Sequence, residues 1–226
     1  MKRKHVAAYL VFLLCIPLVV LLGATVFRGR QYAFISLAVA LLACVPFFLS
    51  FERKTQSGSR LILIAVLTAL SVLGRMLFYA VPGFKPVTAM VIITAMYLGS
   101  EAGFLTGALS AVISNFYFGQ GPWTPFQMFT WGLIGFLAGL LARQLKGSRI
   151  FLCVFGALAG VLFSLCMDVW TALWADGTFQ LSRYLAALAS SASFTLIYAV
   201  SNVIFLLLLA KPIGKKLQRV LDKYGI

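Results

Sequence analysis

The 226-residue chain is 62% hydrophobic and 11% charged, with a mean hydropathy of +1.01. A water-soluble domain carries charge on about a quarter of its residues, so this composition excludes a soluble globule. The net charge of +14 is concentrated at the ends of apolar runs and is not interleaved with exposed aromatic residues. We therefore interpret it as a topology signal rather than as nucleic-acid binding, and we predict an all-α integral membrane protein in a lipid bilayer.

Apolar runs of about 20 residues, bounded by charge, proline or glycine, indicate membrane-spanning helices. A polar linker separates two such runs, which form an N-terminal hairpin, from six others. The eight predicted spans cover residues 6–27, 31–51, 60–80, 86–100, 102–118, 123–142, 150–172 and 184–210. We divide the chain into the hairpin with its linker (1–58), a six-helix core (59–212) and a basic cytoplasmic tail (213–226).

The positions of Lys and Arg indicate the orientation, because cytoplasmic loops are enriched in both residues. With the N-terminus inside, 14 of the 19 basic residues lie on the cytoplasmic side. Arg75 lies within a span, and the four outside are Arg28, Arg30, Lys85 and Arg183. Both termini are therefore expected to be cytoplasmic.

Small residues recur at a spacing of four in the predicted spans. They allow helices to approach closely in lipid, where hydrophobic association contributes little. The glycines of 99–107, 135–139 and 156–160 are expected to pack inside the bundle. Ala65 and Ala69 follow the same spacing, but their face has two open interpretations: internal packing, or docking of another membrane protein.

Few residues suit catalysis. His5 is the only histidine, which excludes Ser-His-Asp and Cys-His nucleophile systems and metal sites built on histidine. The sequence has no nucleotide-binding P-loop, and its five carboxylates form no close pair within a span. We therefore expect neither an enzyme nor a bound metal or cofactor, with an intramembrane enzyme as a minor alternative.

Two ionisable residues lie within spans, where such residues are costly and usually functional. Arg75 and Asp168 fall at a similar depth in the outer half of the membrane. They are expected either to form an ion pair that holds two helices together or to contact a polar ligand. The third open interpretation is that the Arg75 side chain extends to the outer lipid headgroups.

Polar and aromatic residues gather at the same level. The turn 118–127 contains two glycines and two prolines, and irregular backbone at this depth must line a cavity or be buried in protein. Aromatic walls with a few polar groups are typical of a small-molecule pocket, here opening outward under the loop 81–86. The predicted substrate-binding residues are Arg75, Tyr79, Phe84, Lys85, Asn115, Tyr117, Trp123, Gln127, Asp168 and Trp170.

Residues 60–212 resemble the substrate-binding (S) component of energy-coupling factor (ECF) vitamin transporters. The resemblance consists of six spans, the Ala65-x-x-x-Ala69 motif, the short outer loop 81–86 and the glycine-rich block 99–139. The run NFYFGQGPWTPFQM, which begins at Asn115, is especially similar to this group.

The resemblance implies a multi-pass subunit of the bacterial plasma membrane that binds a vitamin and has no ATPase of its own. It implies association with a transmembrane coupling protein and two cytoplasmic ATPases, and toppling within the membrane to release the ligand inside. Ala65 and Ala69 would then form the docking face, with the loops 81–86 and 118–126 as lids. The hairpin 1–51 departs from the usual six-span pattern.

Within the family, the block around Trp123 is most similar to members linked to cobalamin or related corrinoids. Pantothenate, folate, riboflavin and other small polar precursors remain open as ligands. Arg75 and Lys85 would equally suit a ligand that carries a carboxylate. Another transporter or a channel is the alternative function.

Overall fold

The computed structural model describes residues 44–45, 58–176 and 179–225. The predicted hairpin therefore lies outside the described residues, apart from Cys44 and Val45. The core is built from helices α1 (Gly58–Leu77), α2 (Val87–Leu98), α3 (Ser100–Phe118), α4 (Thr124–Leu140), α5 (Ala142–Gly147), α6 (Arg149–Asp176) and α7 (Leu181–Tyr224).

Each of the six predicted core spans corresponds to a helix, with boundaries that differ by a few residues except at the end of α7. Among the described helices, α1, α6 and α7 are long and apolar enough to cross a membrane, and α2 is a shorter apolar helix. This all-helical, apolar architecture is that of a membrane protein. The total of eight spans and the orientation of the termini stay predictions.

Helix α2 lies at the centre of the bundle. Eleven of its 12 residues are buried, and it packs against α1, α3, α4 and α7. A helix that is apolar on every face needs such an enclosed position. At 1.5 Å per residue α2 is about 18 Å long, so it does not cross the about 30 Å hydrocarbon layer by itself.

The predicted glycine packing is confirmed between α3 and α4, the pair of helices with the most extensive contact. A Cβ atom added at Gly103 would lie 2.7 Å from the carbonyl oxygen of Gly135, and one at Gly107 would lie 2.5 Å from that of Trp131. The backbones of the two helices therefore meet directly, which a larger side chain at either glycine would prevent.

Helix α7 continues through Pro212 to Tyr224, so the segment predicted as a separate basic tail is helical. A proline inside a helix removes one hydrogen bond and usually ends or kinks it. Here tertiary packing holds the segment after the proline, because Gly214 lies against the ring of Tyr97 and Leu217 is buried in the core.

Basic residues gather at one end of the bundle, which we call the basic end. Arg60 near the start of α1 donates a 2.5 Å hydrogen bond to the carbonyl oxygen of Leu98 at the end of α2. Lys146 of α5 lies 4.3 Å from the ring centroid of Tyr97, close to the same point. The loop 78–86 and the start of α7 lie at the opposite end of the bundle.

Candidate functional site

Arg75, near the end of α1, is half-buried and faces α3. Its guanidinium donates hydrogen bonds to the Ser114 hydroxyl and to Oδ1 of Asn115, the second at 2.9 Å. It also lies 4.5 Å from the ring centroid of Phe118 and 5.4 Å from that of Trp131. Planar cations stack well on aromatic rings, so Arg75 is held by two kinds of interaction.

Asn115 is the centre of this polar cluster and is 1% exposed. Its Oδ1 accepts from Arg75, while its Nδ2 donates to Thr124 Oγ1 at 2.9 Å and to Gln127 Oε1 at 2.8 Å. One amide side chain thereby connects α1, α3 and the start of α4. Pairing of this kind is what a buried amide requires, because an unmade hydrogen bond would be costly there.

The turn between α3 and α4 brings Thr124 within hydrogen-bonding distance of Asn115. Gly119 has a φ of +100°, which only glycine adopts readily, and the chain turns there at the end of α3. The Thr124 amide then donates to the carbonyl oxygen of Gly121 at 2.9 Å, and its hydroxyl donates to Gln120 Oε1 at 3.0 Å. Pro125 follows in the first turn of α4, where its missing N–H has no cost.

A second polar region surrounds a cavity of about 200 Å³ between the loop 78–86, α6 and α7. Lys85 and Asp168 contribute opposite charges to its lining, together with the hydroxyls of Ser164 and Ser191. Ser191 donates a 2.6 Å hydrogen bond to Oδ2 of Asp168. The loop is attached to α7 because the Lys85 amide donates to Ser201 Oγ at 2.9 Å.

A row of stacked aromatic rings joins the two regions. The ring centroids of Trp131 and Phe163 are 5.0 Å apart, and those of Phe163 and Tyr198 are 4.8 Å apart with planes only 6° from parallel. Lys85 Nζ lies 4.9 Å from the Tyr198 centroid and 5.9 Å from that of Trp131.

Two polar atoms of the row lack normal hydrogen bonds within the described part of the chain. The Tyr198 hydroxyl and Trp131 Nε1 are close enough to interact, but both are buried without a partner of good geometry. Such groups are costly unless a ligand or water satisfies them.

The structure brings together five of the ten predicted substrate-binding residues in these two regions. Arg75, Asn115 and Gln127 form the first region, and Lys85 and Asp168 line the second. Arg75 and Asp168 have separate partners in the structure, so the ion pair considered from their similar depth is not formed.

The other five predicted residues lie elsewhere. Phe84 packs in the core against Phe78 and Phe205, and Trp170 packs between Phe126 and Trp174. Tyr79 and Tyr117 are 68% and 66% exposed, and the ring of each contacts the ring of Phe118. Trp123 is more than one-third exposed beside Gly121.

Sequence reasoning missed the aromatic row and several hydroxyls. Trp131, Phe163 and Tyr198 lie within apolar runs, where an aromatic residue has the pattern of ordinary core. A usable signal was available for Ser191, which belongs to the run Ser190-Ser-Ala-Ser193 inside a predicted span.

The small-residue motif of α1 is on the outside of the bundle. Ala65 and Ala69 are both exposed, and so are Leu61, Val66 and Leu73 on the same helix. Internal packing among the described helices therefore does not account for the motif.

The side chains of the site are of the kind that bind a ligand. Among the residues that the structure describes, no three His, Cys, Asp or Glu side chains come together as a metal site. Aromatic surfaces, amides, hydroxyls and isolated charges are the groups that orient a small organic ligand. Fold and site together define a helical membrane protein with a polar, aromatic interior site suited to a small molecule.

Residues 55–219 match the family described as ECF-type riboflavin transporter, S component. The match spans most of the chain and every helix of the core except the last five residues of α7, so the chain belongs to this family. No curated protein and no solved structure matches it. The protein is therefore a substrate-binding subunit of a vitamin transporter, which docks to partners of the ECF module, and it is not an enzyme.

Proposed function

We propose that this chain is the riboflavin-binding subunit of an importer in the bacterial plasma membrane. It captures the vitamin at the end of the bundle opposite the basic end and delivers it to the cytoplasm. The observation that carries this proposal is the family match over residues 55–219, whose description specifies riboflavin.

The aromatic row supports a flat ligand. The isoalloxazine ring of riboflavin is planar and aromatic, and such rings gain from offset stacking on other aromatic faces. Phe163 and Tyr198 line the 200 Å³ cavity with ring planes 6° apart, and Trp131 stacks on Phe163 with planes 26° apart. We infer that the ring system of riboflavin enters beside this row and takes hydrogen bonds from the Tyr198 hydroxyl and Trp131 Nε1.

The polar groups around the row suit the rest of the molecule. Riboflavin has pyrimidine carbonyls that accept hydrogen bonds and a ribityl chain of hydroxyls that both donate and accept. Lys85 is a donor only, Asp168 is an acceptor when ionised, and Ser164 and Ser191 can act as either. The cavity lining therefore matches an uncharged, hydroxyl-rich ligand better than a simple carboxylate.

The size of the cavity favours riboflavin over a corrinoid. Sites for drug-sized ligands have volumes of about 300–1,000 Å³, so a 200 Å³ cavity must enlarge to admit any vitamin. Movement of the loop 78–86 would provide a modest enlargement, whereas a corrinoid macrocycle with its side chains would require the core helices to separate. The corrinoid preference drawn from the block around Trp123 is accordingly replaced by riboflavin.

We propose further that the exposed face of α1 docks a transmembrane coupling protein, which in turn associates with two cytoplasmic ATPases. Small residues allow close helix approach within a membrane, and Ala65 and Ala69 present such a surface away from the core. This arrangement would supply the energy for release, because the sequence has no P-loop of its own.

Titration of riboflavin fluorescence with the purified, detergent-solubilised full chain tests the proposal. Stacking on Trp131 and its neighbours should quench the flavin emission, and cobalamin and pantothenate should fail to compete. Trp131→Leu should weaken riboflavin binding about tenfold, because an aromatic contact contributes about 0.5–1.5 kcal/mol beyond its buried area.

Trp174→Leu is the matched control, since Trp174 is 56% exposed and outside the aromatic row. It should keep the wild-type affinity. Equal losses in both variants, or competition by cobalamin at stoichiometric concentration, would contradict the assignment. A folded protein that binds no riboflavin would refute the proposed substrate.

A further inference from the structure

A larger cavity, of about 560 Å³, lies at the basic end and is separate from the proposed substrate site. It is formed by the end of α2, by α5, by the start of α6 and by the middle of α7. Four exposed cationic side chains line it: Lys146, Arg149, Lys211 and Lys215.

These charges are not neutralised by the described part of the chain. No carboxylate there pairs with any of the four, and the contact of Lys146 with the Tyr97 ring is a cation–π interaction. The only carboxylate on the neighbouring turn, Asp222, accepts a 2.8 Å hydrogen bond from Gln218. Four like charges around one cavity repel one another, so binding of an anion would relieve that repulsion.

The remaining lining is apolar, which makes the cavity amphipathic. Leu152 and Leu206 are buried in its floor, and Leu207 on the rim is 50% exposed. The cavity also sits where α7 changes from an apolar to a basic sequence at Lys211 and where α6 begins at Arg149. Such a change marks the boundary between hydrocarbon and water, the level of lipid headgroups.

We propose that this cavity binds the phosphate headgroup of an anionic phospholipid, with its glycerol and upper acyl chain against the apolar floor. Basic pockets between helices on the cytoplasmic side have the chemistry that recognises such headgroups. The chain's own residues 1–57 are a poor occupant, since they carry seven basic residues and a single carboxylate, Glu52.

Native mass spectrometry of the full chain in detergent tests the site with two lipids, phosphatidylglycerol and phosphatidylcholine. The wild type should retain phosphatidylglycerol and bind phosphatidylcholine at least tenfold more weakly. K211Q/K215Q should weaken the binding of phosphatidylglycerol about 10- to 30-fold, because it removes two positive charges that attract the anionic headgroup.

K216Q/R219Q is the matched control, because it removes two positive charges from the same helix at positions outside the cavity lining. It should bind phosphatidylglycerol like the wild type, and both variants should keep the wild-type melting temperature. Equal weakening in both variants, or equal retention of the two lipids, would overturn the proposal. Displacement of phosphatidylglycerol by millimolar inorganic phosphate or by an acidic peptide would also overturn it and assign the cavity to that anion.

Discussion

Arg75 of α1 donates a 2.9 Å hydrogen bond to Oδ1 of Asn115, which lies 40 residues further along the chain in α3. Asn115 in turn donates hydrogen bonds to Thr124 and Gln127 of α4. One cation inside an apolar bundle is thus held by an amide network and by aromatic rings instead of by a carboxylate. Asp168 is left free of Arg75 and takes part in a separate cavity with Lys85.

Because Arg75 and Asp168 have separate partners, their substitutions should act independently. Arg75→Ala and Asp168→Asn should each weaken riboflavin binding, while the purified protein stays monodisperse. The double variant should show the sum of the two losses within about 0.5 kcal/mol, as measured by fluorescence titration of all four proteins. A coupling of 1 kcal/mol or more would show that the two side chains act as a pair, and unchanged affinity in both single variants would remove them from the site.

Replacing Asn115 should destabilise the bundle. Asn115→Leu removes the hydrogen bonds that the buried Asn115 makes to Arg75, Thr124 and Gln127, at a cost of about 1–3 kcal/mol. The thermal unfolding midpoint in detergent should fall by several degrees. Gln120→Ala removes an exposed member of the same network and should change the midpoint little. Equal midpoints for the two variants would contradict a central role for Asn115.

The close approach of α3 and α4 gives a steric prediction. In Gly103→Ala the new methyl group would lie against the Gly135 backbone and the Ala95 side chain, so the helices must separate. Overpacking of this kind costs about 1–3 kcal/mol, and the melting temperature should fall accordingly. At Gly147 nothing lies within 4 Å of an added Cβ, so Gly147→Ala should leave the melting temperature unchanged. Similar behaviour of the two variants would disprove the close contact.

The docking face of α1 should matter for transport but not for capture. The double variant A65L/A69L adds bulk to an exposed face and should abolish riboflavin uptake by cells that contain the coupling protein and ATPases. Its riboflavin affinity in detergent should equal that of the wild type. A189L/A192L places the same bulk on exposed alanines of α7 and serves as the control. Normal uptake by A65L/A69L would refute the docking proposal.

The helices of the core were predictable because their signal is local. A run of apolar residues long enough for the bilayer must satisfy its backbone within itself, so the positions of α1, α6 and the first part of α7 follow from composition. The continuation of α7 beyond Pro212 was not predictable. It depends on Tyr97, more than 100 residues away in sequence, packing against Gly214.

The same distinction separates the residues of the site. Arg75 and Asp168 could be selected from sequence because a charged side chain within an apolar span is costly and therefore conspicuous. Asn115, Gln127 and Lys85 could be selected because they lie in or beside the two irregular outer loops at the same level. Trp131, Phe163 and Tyr198 could not, since aromatic residues lower the free energy of a buried core whether or not they face a ligand. Depth along a helix also follows from sequence, but the direction in which a side chain points depends on its neighbours.

The sequence by itself therefore determined that the chain lies in a lipid bilayer and that its fold is all-α. It also showed which polar residues need a partner inside the bundle. Only the tertiary structure decided which partners they obtained: Asn115 for Arg75, and Ser191 for Asp168. The physical reason is that the free-energy cost of burying a polar side chain depends on that side chain alone. The hydrogen bonds that offset this cost depend on how neighbouring helices are rotated and spaced, and distant glycines set that packing.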